Sequence, residues 1–544
     1  MAKIDVEKIV LLVFLSALLI VGPSKILNHS IKHHSPYGYF ASDAFQHQTR
    51  AEAIKDMGSF KYEAPYISKG IEHAAGRYPP LLYHVSVIFS QVSGLEVYDA
   101  IYFLVLVFPL AGILCFYFVI RNFSRNVALL SLPLTVFAYS WPLSMGFFFG
   151  HWPSVFSQVF LFLFFWCILR MDMENSFVLI SVSFASVLMA HTSEAAFGIV
   201  FLAVFLAFRM IAGNLKIKEL KMIAASLFIS SLITAYYLII FYQTFGKSQF
   251  YSFTVEPVWN GNPGFYISGF GILLVPVIAG LAFSLFRFKE MNAAIAVGIS
   301  MLVGGFMNYA GFTFRSFQIR FFWPIYLSVL FGFGLYMLAK LVLKKSGIIS
   351  VIVIVIIFSI PAFGIVKVPG IPKPDVRNDE GVMDRYHWDS LSWISKNTEK
   401  NSKIYFFYGD IYDQDALLRN SKRFHAQVEP WDFIKQLQER QIKRVYSTEV
   451  PGDSGGGIII RNGVFSFGQK PNNDSVKFVG PWDICGFDYF VFDKVSRQPV
   501  LAQYNMLLAS KISEKGAVKA FENEVVVILQ NKNKGGSCIE EGTF

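Results

Sequence analysis

Apolar runs close to the length of a bilayer crossing recur through the first two thirds of this chain, and they limit what it can fold into. A crossing helix needs about 20 mostly apolar residues, and about eleven stretches fit that need. They are 8–26, 99–120, 127–141, 153–170, 176–191, 195–211, 221–243, 266–286, 291–312, 321–340 and 347–367. Hydrophobic residues make up 54% of the 544, with 57 Phe among them, so the chain reads as a polytopic membrane protein and not as a water-soluble enzyme. The first run lacks a small-residue cleavage site followed by a soluble domain and is expected to be a retained span. A formal charge of +10 would fit a nucleic-acid partner if the basic residues formed a patch. They sit instead in short loops between spans, the mark of membrane topology, so no nucleic-acid partner is expected.

One run is ambiguous. Leu81–Ser93 is apolar but short, and His84 and Gln91 interrupt it, so a crossing and an interfacial helix both fit. Charge decides between them. With a cytoplasmic N-terminus and an interfacial 81–93, Arg121/Arg125, Arg170, Arg209 to Lys221, Arg287/Lys289 and Lys340/Lys344/Lys345 all fall inside. The outer loops 142–152 and 192–194 then hold no Lys or Arg. A crossing at 81–93 would invert every later loop, so the positive-inside rule selects the interfacial reading. The expectation is a multi-pass protein of an archaeal or bacterial cell membrane, its outer loop 27–98 and C-terminal domain extracytoplasmic.

The outer side gathers the titratable groups. Ser42-Asp-Ala-Phe-Gln-His-Gln-Thr-Arg50 carries Asp43, His47 and Arg50 at i, i+4 and i+7, one face of a helix. Asp43-x-x-Gln46 also fits a capping box, which explains the aspartate alone. Other outer loops supply His151, in Gly150-His-Trp-Pro153, and His191 and Glu194, in His191-Thr-Ser-Glu194. Such groups at span ends face a wet cavity or one another. Asp43, His151, His191 and Glu194 fit two readings: N/O ligands of one divalent metal (Mg or Mn), or a hydrogen-bonded acid–base cluster without one. Phe312-Thr-Phe-Arg-Ser-Phe-Gln-Ile-Arg320 breaks the charge pattern by bringing Arg315 and Arg320 outside. They read either as snorkelling anchors or as guanidinium partners of a lipid phosphate. The loop from Gly246 to Gly264 is long, polar and aromatic, as a substrate lid would be.

After Lys367 the composition shifts. Val368-Pro-Gly-Ile-Pro-Lys-Pro374 is a linker, and residues 369–544 alternate helix-like stretches (Asp384–Asn397, Trp431–Arg440, Pro499–Lys515) with β-rich runs. Those runs, Ile404–Tyr408, Ile458–Ile460, Tyr489–Phe492 and Val525–Leu529, describe an α/β domain. Placed outside, its Cys485 and Cys538 are free to pair. Gly452-Asp-Ser-Gly-Gly456 copies the active-serine signature of trypsin-like proteases, but no histidine base in that family's context accompanies it. Sequons stand at Asn28 and Asn473.

The layout resembles the GT-C membrane glycosyltransferases, which include protein O-mannosyltransferases, aminoarabinose transferases and the catalytic subunit of oligosaccharyltransferase. Four places carry the resemblance: Asp43 early in a large outer loop, Tyr78-Pro-Pro80 before an interfacial helix, the basic inner loop Arg121-Asn-Phe-Ser-Arg125, and Arg320-Phe-Phe-Trp-Pro324 before a span. It departs in three. Pro481-Trp-Asp-Ile-Cys-Gly486 only loosely echoes the sequon-reading motif, Asp43 lacks an adjacent acid, and His151-Trp152 replaces an acidic second outer loop. The resemblance implies a GT-C-like α-helical membrane domain (1–368) and a soluble α/β domain (369–544). It implies transfer of a sugar from a polyprenyl-phosphate-linked donor to a glycan, lipid or protein acceptor. Asp43 would be the catalytic base or a metal ligand, and His47, Arg50, Arg77, Tyr78, Arg315 and Arg320 would bind substrate. The competing class is a transporter or scaffold with an outer domain. Nearly charge-free spans, with polar groups gathered at one face, speak against passage.

Overall fold

The computed structural model describes residues 5–24, 33–68, 78–141, 143–245, 263–287, 293–306, 321–343, 347–377, 380–412, 414–428, 430–449, 458–461, 464–467 and 478–544. Arg77, Arg315, Arg320, both sequons, the Gly452–Gly456 motif and residues 246–262 of the lid loop lie outside them. Two compact units divide the chain. Met1–Ile31, Tyr78–Ile239 and Phe253–Asn378 form the first; Lys32–Arg77, Ile240–Ser252 and Asp379–Phe544 form the second.

The first unit is helical. In chain order it holds α1 (Val6–Val21), then, after α2 (Ser42–Met57) of the second unit, α3 (Leu81–Ser93), α4 (Val97–Arg121) and α5 (Arg125–Thr135). There follow α6 (Trp152–Leu169), α7 (Ser176–Ala190), α8 (Thr192–Ile211), α9 (Ile217–Ile233) and α10 (Ala235–Phe245), the last running into the second unit. The set closes with α11 (Leu274–Phe286), α12 (Ala293–Gly305), α13 (Ser328–Leu343) and α14 (Ile348–Ala362). Among the described residues, five helical stretches are long and apolar enough to cross a membrane: Val97–Arg121, Trp152–Leu169, Thr192–Ile211, Tyr266–Phe286 and Trp323–Val342. The remaining expected spans correspond to shorter or broken helices. The run 221–243, for instance, divides at Thr234, whose hydroxyl bonds back to Ser230 O at 2.9 Å.

Packing follows from side-chain size. α6 is apolar nearly all round and buried nearly all round, as a core helix must be. α11 and α13 approach at Gly280 and Gly334, where an added β-carbon would lie 2.0 Å from Leu330 O and 1.9 Å from Pro276 O. Small residues at a crossing let two backbones meet. At one end of the bundle, buried Glu7, in the first turn of α1, accepts from Tyr117 Oη at 2.8 Å and from Arg121 Nη2 at 3.2 Å in the last turn of α4. The start of α1 and the end of α4 therefore share that end.

The second unit combines α2 with the C-terminal α/β region. Five strands, β1 (Lys403–Phe406), β2 (Phe424–Gln427), β3 (Tyr489–Asp493), β4 (Val518–Glu522) and β5 (Val526–Gln530), form one sheet in the order β2-β1-β3-β5-β4. β1 is parallel to β2 and β3, and β5 is antiparallel to β3 and β4. The buried run of β3 supplies Phe490 and Phe492 to a core with Tyr405, Phe407, Leu508 and Ile512. Helices α15 (Arg385–Asn397), α16 (Asp415–Leu418), α17 (Pro430–Glu439) and α18 (Pro499–Glu514) belong to the same unit, as do three two-stranded sheets. Cys485 and Cys538 form a disulfide beside that core.

Candidate active site

α2 carries the acid, histidine and arginine of the first outer loop. The chain reaches it extended at Ala41 (φ −148°, ψ 158°), and the helix begins at Ser42. Asp43 therefore stands inside the first turn and is not the cap, which corrects the capping-box expectation. Its Oδ1 accepts from the Gln46 side chain at 3.3 Å, so the two side chains bond each other where a capping box would bond the backbone. A carboxylate there still complements the positive end of the helix. Asp43 is half-buried, while His47 and Arg50 are buried. Arg50 Nη1 donates to Gln46 O at 3.0 Å, and its Nε lies 3.5 Å from Glu63 Oε1. The helical spacing thus brings the three residues to one side of α2. Arg50 is also an internal counter-charge, a use that its place in a polar stretch of sequence does not reveal.

In the first unit, Tyr78 is half-buried ahead of Pro79 and Pro80, and α3 starts directly after them. Proline suits that first turn. His151 occupies the N-cap position of α6, and His191 the junction of α7 and α8. Glu194 has 0% exposure in the first turn of α8. Its two oxygens are bonded to His191 Nδ1 and Ser154 Oγ. From Ser154 the chain of polar groups continues down α6. Gln158 Nε2 donates to Ser154 Oγ at 3.4 Å, and Gln158 Oε1 accepts from Phe322 N at 3.1 Å and Tyr326 Oη at 3.3 Å. A buried carboxylate has thereby found the partners it needs.

This arrangement has a chemical consequence. His191 and Glu194 are bonded to each other. With Nδ1 so engaged, the ring of His191 is held in place and Nε2 is the nitrogen left to face other groups. Among the described residues, no group of three or more His, Cys, Asp or Glu is arranged to hold a metal ion. His191 and Glu194 offer one nitrogen and one carboxylate already spent on each other, fewer donors than a divalent ion takes. That pair alone supplies too few donors for a divalent ion, and no step below runs through one. Sequence reasoning singles out His191 and Glu194 but misses Ser154 and Gln158. Their signal is a polar pair spaced i, i+4, with Ser157 beside it, in a mostly apolar helix, all three buried.

No protein-family model and no curated protein matches the sequence. Solved structures do match the fold. The oligosaccharyltransferase of Archaeoglobus fulgidus, in its apo form, aligns with a TM-score of 0.53 at 12% identity over 78% of this chain. The present chain spans 65% of that protein's length. ArnT from Cupriavidus metallidurans in the apo state aligns with a TM-score of 0.52 at 10% identity, covering 96% of this chain and 97% of that one. The mycobacterial arabinofuranosyltransferase AftD gives 0.52 at 10% identity over 98% of this chain and 40% of its own. These neighbours are GT-C membrane glycosyltransferases, and the present chain carries the same fold. At such identities the similarity is one of fold.

Proposed function

We propose that the protein is a GT-C-type glycosyltransferase that moves a sugar from a polyprenyl-phosphate-linked donor to a glycan, lipid or protein acceptor at the outer face of the membrane. The observation that carries this reading is the fold itself, shared with ArnT over nearly the whole length of both chains. Three features support the orientation. The charge pattern puts basic loops inside. The shared end of α1 and α4 fits an α3 that lies along the surface. The Cys485–Cys538 disulfide suits an oxidising compartment. Nucleotide sugars are absent from that side, which leaves a lipid-linked donor.

In the proposed reaction an acceptor hydroxyl or amide attacks the anomeric carbon. The bond from that carbon to the phosphate oxygen breaks, and the polyprenyl phosphate leaves with the electron pair. Asp43 takes the acceptor's proton. Arg315 and Arg320 hold the lipid phosphate, since guanidinium matches phosphate geometry. His47, Arg50, Arg77 and Tyr78 are assigned to the sugar or acceptor, and His151, His191 and Glu194 are further polar groups of the outer face.

The test is transfer by purified protein from a radiolabelled polyprenyl-phosphate sugar, parent against Asp43→Asn. Removing a general base costs about 10²–10⁴-fold in rate, so the variant should lose at least 100-fold by that measure. Equal rates would remove Asp43 as the base. A parent protein that binds no lipid-linked sugar turns the reading toward a transporter or scaffold.

A further inference from the structure

Within the second unit, α2 is gripped by one basic dipeptide, Lys422-Arg423. Lys422 is one of two non-glycine residues with positive φ among the described residues (φ +52°), at the C-terminal end of a short helical turn. A lysine persists in that conformation only where its surroundings over-determine it. Here they do. Arg423 spreads its guanidinium over the end of α15, donating to Thr398 Oγ1 at 2.9 Å, Thr398 O at 2.7 Å and Ser395 O at 2.8 Å. Its Nη1 also donates to Lys422 O at 3.0 Å, which pins the strained residue.

The other arm reaches α2. Lys422 Nζ lies 3.2 Å from Glu52 Oε2 and 2.9 Å from Asp56 Oδ2, acids one helical turn apart, and Tyr66 Oη donates to Asp56 at 3.2 Å. α16, just before the dipeptide, packs against α2. Burial opposes the Lys422 ammonium, but the Glu52 and Asp56 carboxylates outweigh it and hold its pKa above the ordinary lysine range. The other end of the segment is tied through backbone hydrogen bonds, Val382 N donating to Tyr39 O at 2.9 Å and Gly38 N to Glu380 O at 3.2 Å.

We propose that Lys422 is a positioning residue for the transfer reaction, a clamp through which the C-terminal domain sets the axis of α2 and so the place of Asp43. The proposal rests on the reading of Asp43 as the base. Glu52 and Asp56 stand nine and thirteen positions beyond Asp43, about 14–20 Å along a helix rising 1.5 Å per residue. Over that lever a tilt of about 5° moves Asp43 by about 1.5 Å, and a misplacement of about 1 Å costs on the order of 100-fold in rate.

The experiment compares parent, Lys422→Met, Lys422→Arg and Asp43→Asn as full-length protein in nanodiscs. Transfer from a radiolabelled polyprenyl-phosphate sugar is measured alongside hydrogen exchange of peptides covering 42–57. Lys422→Met should lower kcat about 10- to 100-fold with donor KM within about twofold. Exchange should speed up in 42–57 but not in 403–406 or 489–493, and Lys422→Arg should restore both. A Lys422→Met protein with parental kcat, beside an inactive Asp43→Asn, overturns the clamp and leaves the base assignment standing. An Asp43→Asn protein as active as the parent overturns the base assignment, and the exchange arm then decides alone whether Lys422 fixes α2. Should Lys422→Met fail to fold, the double variant Glu52→Gln/Asp56→Asn removes the same pairs from the other side. Unchanged exchange in 42–57 of that variant ends the proposal.

Discussion

His387 lies buried on the inner face of α15 between two carboxylates, with Nδ1 bonded to Asp384 and Nε2 3.0 Å from Asp493 Oδ1. Burial disfavours the imidazolium, yet Asp384 and Asp493 outweigh it and push the pKa up to about 10. The ordinary value is 6.5, so the folded value is the higher one. The stabilisation is therefore complete below about 6.5 and is lost as pH climbs toward 10. Burial also opposes ionisation of Asp384, but His387 holds it below its ordinary value, so its share is present above that value and lost in acid. Asp493, raised by burial in spite of His387, favours the fold less once ionised, a drain in the same direction as the His387 loss. His387→Gln should cost about 3–5 kcal/mol, the range for breaking a buried pair. It should also flatten the fall in Tm between pH 7 and 10 that the parent shows. Calorimetry or fluorescence melts across that range decide the matter, and a variant with the parent's profile refutes it. The sequence marks a helix at Asp384–Asn397, and in the structure Asp384 caps it, accepting from His387 N at 3.0 Å. It does not mark His387, because Asp493 is 106 residues away and only the fold brings it near.

Hydropathy reads elements well where bilayer thickness is the physical constraint and poorly where a polar side chain breaks the rule. The expected spans 99–120 and 153–170 match α4 and α6 within two residues, since a crossing fixes their length. Hydropathy averaged over a window is blind to the break at Thr234, where a hydroxyl competes for a backbone carbonyl. The strands were half legible. Buried runs such as Tyr489–Phe492 announce themselves, but β2 (Phe-His-Ala-Gln) and β4 (Val-Lys-Ala-Phe-Glu) are short and mixed, and pairing alone makes them strands. Gln158 shows the same limit inside α6. Its Oε1 ties that helix to Phe322 and Tyr326, the turn that follows Arg320 in the chain. Gln158→Leu keeps the apolar volume but leaves two buried donors without their acceptor, a cost of about 1–3 kcal/mol for each. We expect a lower Tm in detergent and a reduced transfer rate. A Gln158→Leu protein as stable as the parent would show that the bond adds nothing net.

Across the whole molecule, the weight of the outer-face reading falls on α3. If its 13 residues crossed the bilayer, α4 would end on the side opposite to the start of α1. Glu7 and Arg121 would then be separated by the membrane, yet they are bonded, with Tyr117 closing the group. The positive-inside count reaches the same answer by another route, because it depends on loop charge and not on any contact. The Glu7–Arg121 pair, with its carboxylate buried and its guanidinium half exposed, also ties the start of α1 to the end of α4. The two arguments make one forecast. With Cys115 and Cys167 replaced by serine, Leu95→Cys should react with a membrane-impermeant maleimide in intact cells, and Glu174→Cys only after permeabilisation. Cys485 and Cys538, being bonded, should stay silent until reduced. The reverse pattern, with residue 174 labelled from outside and residue 95 protected, would return α3 to the bilayer. It would also move the C-terminal domain, and the disulfide within it, to the reducing side, where a bond of that kind does not persist.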